Sequence, residues 1–196
     1  MVRIPLFPLN TVLFPGGPLP LRIFETRYID MISERMQSDA PFGVLLIREG
    51  DETGVASTFQ VGTLARIVDW YQGSDGLLGV TAIGEQRFRL ISSERQPDGL
   101  HIGDIELLPD DEPVPLPEDY KGIVDILAGV LDDLGRLYES MDRHYEDASW
   151  VTYRFVEILP LDLEQKQHCL ESSDAEERLK LVLQLLETVR EPGAMP

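Results

Sequence analysis

The chain has 196 residues, 43 % of them hydrophobic, and a formal charge of −18 from 35 acidic and 17 basic side chains. That length suits one domain or two small ones, and the apolar content argues against disorder. The charge works against nucleic acid and anionic membrane, which need basic patches, and a single cysteine excludes an intrachain disulfide or a cysteine-built zinc cluster.

The first hundred residues predict strands. Val2–Phe7 and Thr11–Phe14 are apolar and bounded by proline or glycine, and 15–18 (Pro-Gly-Gly-Pro) marks a turn. Leu19–Phe24 alternates apolar and polar residues, the period of a half-buried strand. A helix over Glu25–Ser38 places Tyr28, Met31, Ile32 and Met36 on one face, and Pro41 ends it. Phe42–Arg48 is a short strand and Asp51–Thr58 a polar loop. Gly62–Tyr71, Leu77–Ile83, Arg87–Glu94 and Leu100–Leu108 follow as strands, with a turn over 73–76, a break at Gly84 and a turn over 97–99. Short strands joined by Asp-Gly turns point to antiparallel hairpins and a closed or nearly closed sheet.

Residues 109–119, rich in proline and carboxylates, read as an extended, solvated linker. The period then changes. Ile123, Ile126, Leu127, Val130, Leu131, Leu134, Leu137, Tyr138 and Met141 recur at three and four, and further helices are predicted over Trp150–Leu159, Leu163–Glu171 and Ala175–Arg190. Asp162 is expected to cap the third of these four helices, and Asp174 with Glu177 to box the fourth. The division is therefore a β subdomain over 1–108, a linker over 109–119 and a helical bundle over 120–196: an α+β chain.

The acidity is concentrated. Residues 1–103 carry a net −3, 104–147 a net −11 and 148–196 a net −4. Every cation before Lys121 is an arginine. Prolines 5 and 8 interrupt the N-terminus before a signal-peptide core can form, and no apolar run approaches the ~20 residues of a membrane span. With the lone cysteine, this predicts a cytoplasmic protein.

Motifs that carry chemistry are mostly absent from the sequence. Gly-Lys never occurs, so there is no P-loop; there is no G-x-S-x-G elbow and no H-E-x-x-H. His168-Cys169 are helix neighbours that do not face each other, so Cys169 reads as core. Asp110-Asp111-Glu112 and Asp132-Asp133 read as solvated charge ahead of metal ligands. A serine–lysine dyad would need Lys121, Lys166 or Lys180, all on expected polar faces. No catalytic, cofactor or metal residue is assigned. Phe14, Trp70 and Tyr71 are the candidates for peptide contact, Trp70-Tyr71 because they precede a glycine-rich turn. Arg22, Arg66 and Arg87 lie inside apolar strands and are expected to satisfy carbonyls and carboxylates there.

Several runs resemble the N-terminal, substrate-binding domain of the Lon ATP-dependent proteases. They are Ile4-Pro5-Leu6-Phe7-Pro8-Leu9-Asn10-Thr11-Val12-Leu13-Phe14-Pro15-Gly16, Leu19-Pro20-Leu21-Arg22-Ile23-Phe24-Glu25-x-Arg27-Tyr28, Phe42-Gly43-Val44, Gly62-Thr63-Leu64-Ala65-Arg66-Ile67 and Gly84-x-x-Arg87-Phe88-Arg89-Leu90. Leu159-Pro160, Lys166-Gln167-x-x-Leu170-Glu171 and Arg178-Leu179 match in the helical part. The resemblance covers nearly the whole chain. It implies a PUA-like pseudo-barrel with one packed helix, a following helical bundle, and binding of unfolded or degron-bearing protein segments. The family's ATPase and peptidase modules have no counterpart in these residues, which reads as a stand-alone domain with no catalytic set.

The favoured reading is thus a non-catalytic protein- or peptide-binding module without a cofactor. Two alternatives stay open. One is a carboxylate- or metal-dependent hydrolase between the two subdomains; the other is RNA binding through Arg22, Arg66, Arg87 and Arg89 on one face.

Overall fold

The computed structural model describes residues 2–52, 57–73, 75–139 and 141–190, and divides into two compact units, 1–110 and 111–196. The expected loop at 53–56, Ser74 of the expected turn and the side chain of Val189 lie outside the described residues. Among the described residues no helix is long and apolar enough to cross a membrane.

The first unit contains β1 (Val2–Leu9), β2 (Pro18–Ile23), α1 (Thr26–Ser38), β3 (Phe42–Glu49), β4 (Ser57–Thr58), β5 (Val61–Gln72), β6 (Leu78–Arg95) and β7 (His101–Leu107). The strands run in the order β1-β7-β6-β5-β3-β4, and β1 also pairs with β3. Five strands therefore close a ring. Its β1–β3 pairing is parallel and the others are antiparallel. Closure removes the open edges that invite unwanted pairing. β2 joins from outside by pairing with Leu78–Ile83 of β6.

Two apolar clusters hold the unit. Ile4, Leu6, Leu45, Leu64, Phe88 and Ile105 form one. The second joins α1, through Tyr28, Met31 and Ile32, to Phe7, Leu19, Phe42, Val80 and Ala82 of the strands. Phe7 stacks on Tyr28 with ring centroids 3.9 Å apart. Beside them the buried Arg27 pairs with Glu25 at 2.7 Å, donates to the Gly99 carbonyl at 2.9 Å and lies 4.7 Å over the Tyr28 ring. Several residues of the Phe24–Tyr28 run thus do packing work.

Two strand expectations are corrected here. Thr11–Phe14 is irregular backbone, because its carbonyls are satisfied outside a ladder: Thr63 Oγ1 donates to Leu13 O at 2.6 Å. Gly84 does not break its strand; β6, 18 residues in all, runs through it. The glycine is needed because the turn after Phe14 docks on it. Gly16 N donates to Gly84 O, Gly84 N donates to Gly17 O, and a Cβ at Gly84 would lie 2.2 Å from Phe14 O. Register shifts opposite Thr63/Ala65 and at Leu90/Ser92 bend the long strand so that it can pair with β2, β5 and β7.

The second unit comprises α2 (Lys121–Asp133), α3 (Arg136–Glu139), α4 (Ala148–Ile158), α5 (Leu163–Glu171) and α6 (Ala175–Arg190). The long first helix expected from periodicity ends early, because Gly135 takes φ +63° between α2 and α3. Ala148–Val156 of α4 is buried on every face, as befits a central helix, and α4 packs against α2, α5 and α6. The α5 cap is the expected one: Asp162 and Gln165 complete a reciprocal box. Asp174 Oδ1 accepts the N–H groups of Glu176 and Glu177, while the Glu177 carboxylate meets Ser172 Oγ, so only half of the expected box forms.

Candidate functional site

The three residues singled out for peptide contact separate. Phe14 is 0 % exposed and belongs to the interior, so it has no surface to offer a ligand. This corrects its candidacy: the turn that follows it is pinned to Gly84, which draws its ring inward. Trp70 and Tyr71 are exposed, at 58 % and 52 %. They are adjacent on a strand, so their side chains leave opposite faces of the sheet.

Tyr71 pairs with Gly79, and its ring lies over that glycine, where a Cβ would come within 2.3 Å of Cζ. Next along the row, Gly79 pairs with Arg22, which forms an ion pair with Asp75. Tyr71 thus covers a bare stretch of backbone. Trp70 pairs with the core residue Val80 and lines a groove on the same side of the sheet as α1.

That groove, about 170 Å³, lies between the C-terminal turn of α1 and Arg66–Trp70 of β5. Met36, Val68 and Trp70 supply exposed apolar surface. Val68 is brought out by a bulge: Ile67 faces Ala82 and Asp69 faces Thr81, which leaves Val68 with no residue opposite. Met36 continues the apolar face of α1 one turn beyond its buried part.

Arg66 fixes the groove's geometry. Its Nε donates to Glu85 Oε1 at 2.5 Å, and its Nη1 donates to the carbonyl and carboxylate of Asp39 at 2.7 and 3.0 Å. The Glu85 hydrogen bond, with a smaller contribution from Asp39, holds this guanidinium above its ordinary pKa. Asp39 ends α1 in a left-handed conformation, φ +47°, so the arginine also neutralises a helix C-terminus. One side chain therefore joins β5, β6 and α1. This is the structural role expected for Arg66. Arg87 is buried, while Arg22 and Arg89 are exposed. A single basic face made of all four arginines does not form.

The acidic segment has other duties. Asp111, expected in a solvated linker, has a side chain only 9 % exposed, pairs with Arg178 at 3.1 Å and accepts from Tyr153 Oη at 2.7 Å. Asp147 caps α4, Asp132 holds Arg143 at 2.7 Å, and Asp104 accepts from Ser92. Among the described residues no group of three or more His, Cys, Asp or Glu side chains converges. Lys121 pairs with Glu118, and Lys166 donates to the Glu157 carbonyl. Cys169 is buried, and that burial pushes its thiol pKa up, away from a nucleophile's.

Beside the Asp111–Arg178 pair, sequence reasoning missed a second charged cluster in the second unit. Arg154, 0 % exposed, pairs with Glu157 at 2.7 Å. Burial pushes the Glu157 carboxyl up to about 7 against the pull of Arg154 and Lys166, and burial raises the Tyr138 hydroxyl to about 12. An arginine three residues before a glutamate in an apolar helix was the available signal.

A profile of the family described as ATP-dependent protease La (LON) substrate-binding domain matches residues 3–188. The chain belongs to that family. It is 26 % identical over 196 residues to a Lon protease of Anaeromyxobacter dehalogenans, covering 96 % of this chain and 23 % of that one. It spans about a quarter of the length of the curated Lon proteases it matches. A solved Lon N-terminal domain protein from Xanthomonas campestris superposes with a TM-score of 0.76 at 31 % identity, over 94 % of this chain and 98 % of that one. The N-terminal domain of a Mycobacterium avium complex Lon protease gives 0.64 at 18 % identity over 95 % and 98 %, a likeness of fold. The family is described as the substrate-binding domain of an ATP-dependent protease.

Proposed function

We propose that this chain is a non-catalytic module that captures unfolded or extended protein segments, with the groove between α1 and β5 receiving an apolar side chain. The observation that carries the reading is the exposure of Met36, Val68 and Trp70 around one concavity in a domain of a substrate-binding family. Arg66 preorganises the walls, so little ordering is required of the protein side. Methionine supplies an adaptable wall and tryptophan a rigid one, a pairing that suits varied occupants. Burial of apolar surface, about 25 cal/mol per Å², drives capture. A groove of this size holds one or two side chains, so binding of a single segment is weak, about micromolar or worse. Tyr71, on the other face, is outside this contact. The single, buried cysteine fits a reducing cytoplasm.

Titration of the full chain with a permanently unfolded polypeptide and with short apolar peptides tests the reading. Saturable binding that Trp70→Ala weakens supports it. Failure of every ligand to bind the folded protein overturns it.

A further inference from the structure

Charge around the groove specifies its occupant further, resting on the docking reading above. Four carboxylates (Glu34, Asp39, Asp69 and Glu85) stand in and around it against two guanidiniums, Arg35 and Arg66. Both guanidiniums are committed: Arg35 to Glu34 at 2.5 Å, and Arg66 to Glu85 and Asp39. The carboxylates are not used up in the same way. The Asp39 side chain is 89 % exposed despite its arginine, and that of Glu34 is 71 % exposed. Asp69 is exposed, and its Oδ1 accepts the backbone N–H of Trp70. Among the described residues none of its hydrogen bonds or ion pairs comes from a cation.

We propose that the groove selects extended segments in which a bulky apolar side chain is flanked by lysine or arginine. The apolar side chain packs on Met36, Val68 and Trp70. The flanking cations lie over Asp39 and Asp69, and a guanidinium beside the Trp70 ring gains a cation–π contact. An acidic segment meets the same carboxylates as like charges and is rejected. The overall charge of −18 acts in the same direction by steering cationic chains toward the protein.

Fluorescence anisotropy with three labelled peptides tests this. The peptides share one apolar centre and differ only in flanks of lysine and arginine, serine, or glutamate. At low salt the basic peptide should bind about fivefold or more tighter than the acidic one, the sum of a few exposed charge contacts. The gap should narrow at high salt. Asp69→Asn should reduce the ratio, and Trp70→Ala should weaken all three peptides. Equal affinities for the three overturn the proposal and leave the docking reading standing. A ratio unchanged in Asp69→Asn also overturns it, because the preference then originates elsewhere. Binding of none of the three removes the docking reading as well.

Discussion

Arg178 and Asp111 form an ion pair across 67 positions of sequence, Nη2 to Oδ2 at 3.1 Å, with side chains only 1 % and 9 % exposed. The guanidinium also donates to Ser172 O at 2.5 Å and to Ser149 and Thr152 hydroxyls, and it lies 4.2 Å over the Tyr153 ring. Tyr153 Oη donates to the same Asp111 oxygen. The first residue of the second unit is thereby fastened to α4 and α6. Buried charges persist only when paired and hydrogen-bonded in this way.

Arg178→Ala should therefore cost about 3–5 kcal/mol, because it takes from the Asp111 carboxylate a guanidinium that is 1 % exposed and removes that guanidinium's bonds to Ser172, Ser149 and Thr152. Urea unfolding followed by the ellipticity of the helices checks this. A loss under ~1 kcal/mol would mean that water reaches Asp111 freely.

Glu157 supplies a pH dependence whose sign is fixed. Its folded pKa, about 7, lies above the ordinary carboxylate value of 4.5 because burial outweighs Arg154, Lys166 and the Tyr138 hydrogen bond. Between those two values the folded state holds a proton that the unfolded state has released. Stability from this group is therefore complete below pH ~4.5, falls as pH rises to ~7, and is level beyond. The fall is about 3 kcal/mol at most. Denaturant unfolding at pH 5 to 8 should show a slope in the native protein that Glu157→Gln reduces. An identical slope in both would contradict the assignment.

Arg66→Ala should lower the melting temperature, since β5, β6 and the end of α1 lose their common partner. The pairs are partly exposed, so the expected cost is about 1–2 kcal/mol. Arg66→Lys should restore little, because an ammonium cannot reach Glu85 and Asp39 in the same fork. An unchanged melting temperature in Arg66→Ala would refute the clamp.

Two glycines predict opposite signs. Gly84→Ala puts a Cβ 2.2 Å from the Phe14 carbonyl and forces backbone apart, so it should destabilise the first unit severely. Gly129, inside α2, has nothing within 4 Å of its Cβ position. Gly129→Ala should stabilise by up to about 1 kcal/mol. Thermal unfolding of both variants reads the contrast, and a shift of the same sign in both would contradict it.

The sequence carried the elements whose ends are set locally. Pro160, Asp162 and Asp174 bracket α5 and α6, and those two helices lie where periodicity and capping put them. Where distant contacts decide, local pattern misleads. The stripe from Ile123 to Met141 gives no sign that Gly135 turns left-handed, and Gly84 looks like a break because Gly16 and Gly17, which dock on it, lie far upstream. The site was legible in part. Trp70 and Tyr71 stand out as neighbours in sequence, yet the pleat sends them to opposite faces. Phe14 resembles them in type but not in burial. The groove's other wall, Met36, comes from a helix more than 30 positions away, and Val68 reaches it through a bulge that hydrophobic patterning does not encode. Asp111 reads as linker because Arg178, with which it pairs, lies 67 positions on.

Occupancy of the α1–β5 groove by a protein segment, the proposed function, is directly observable. The most direct measurement is a titration of the isotopically labelled protein with an unfolded polypeptide, following the Met36 and Val68 methyls and the Trp70 indole N–H by NMR. Saturable shifts are expected at these three groups, with the Trp150 indole and the core methyls of Leu127 and Val156 unmoved. Saturable binding that leaves Met36, Val68 and Trp70 unshifted would contradict occupancy of the groove.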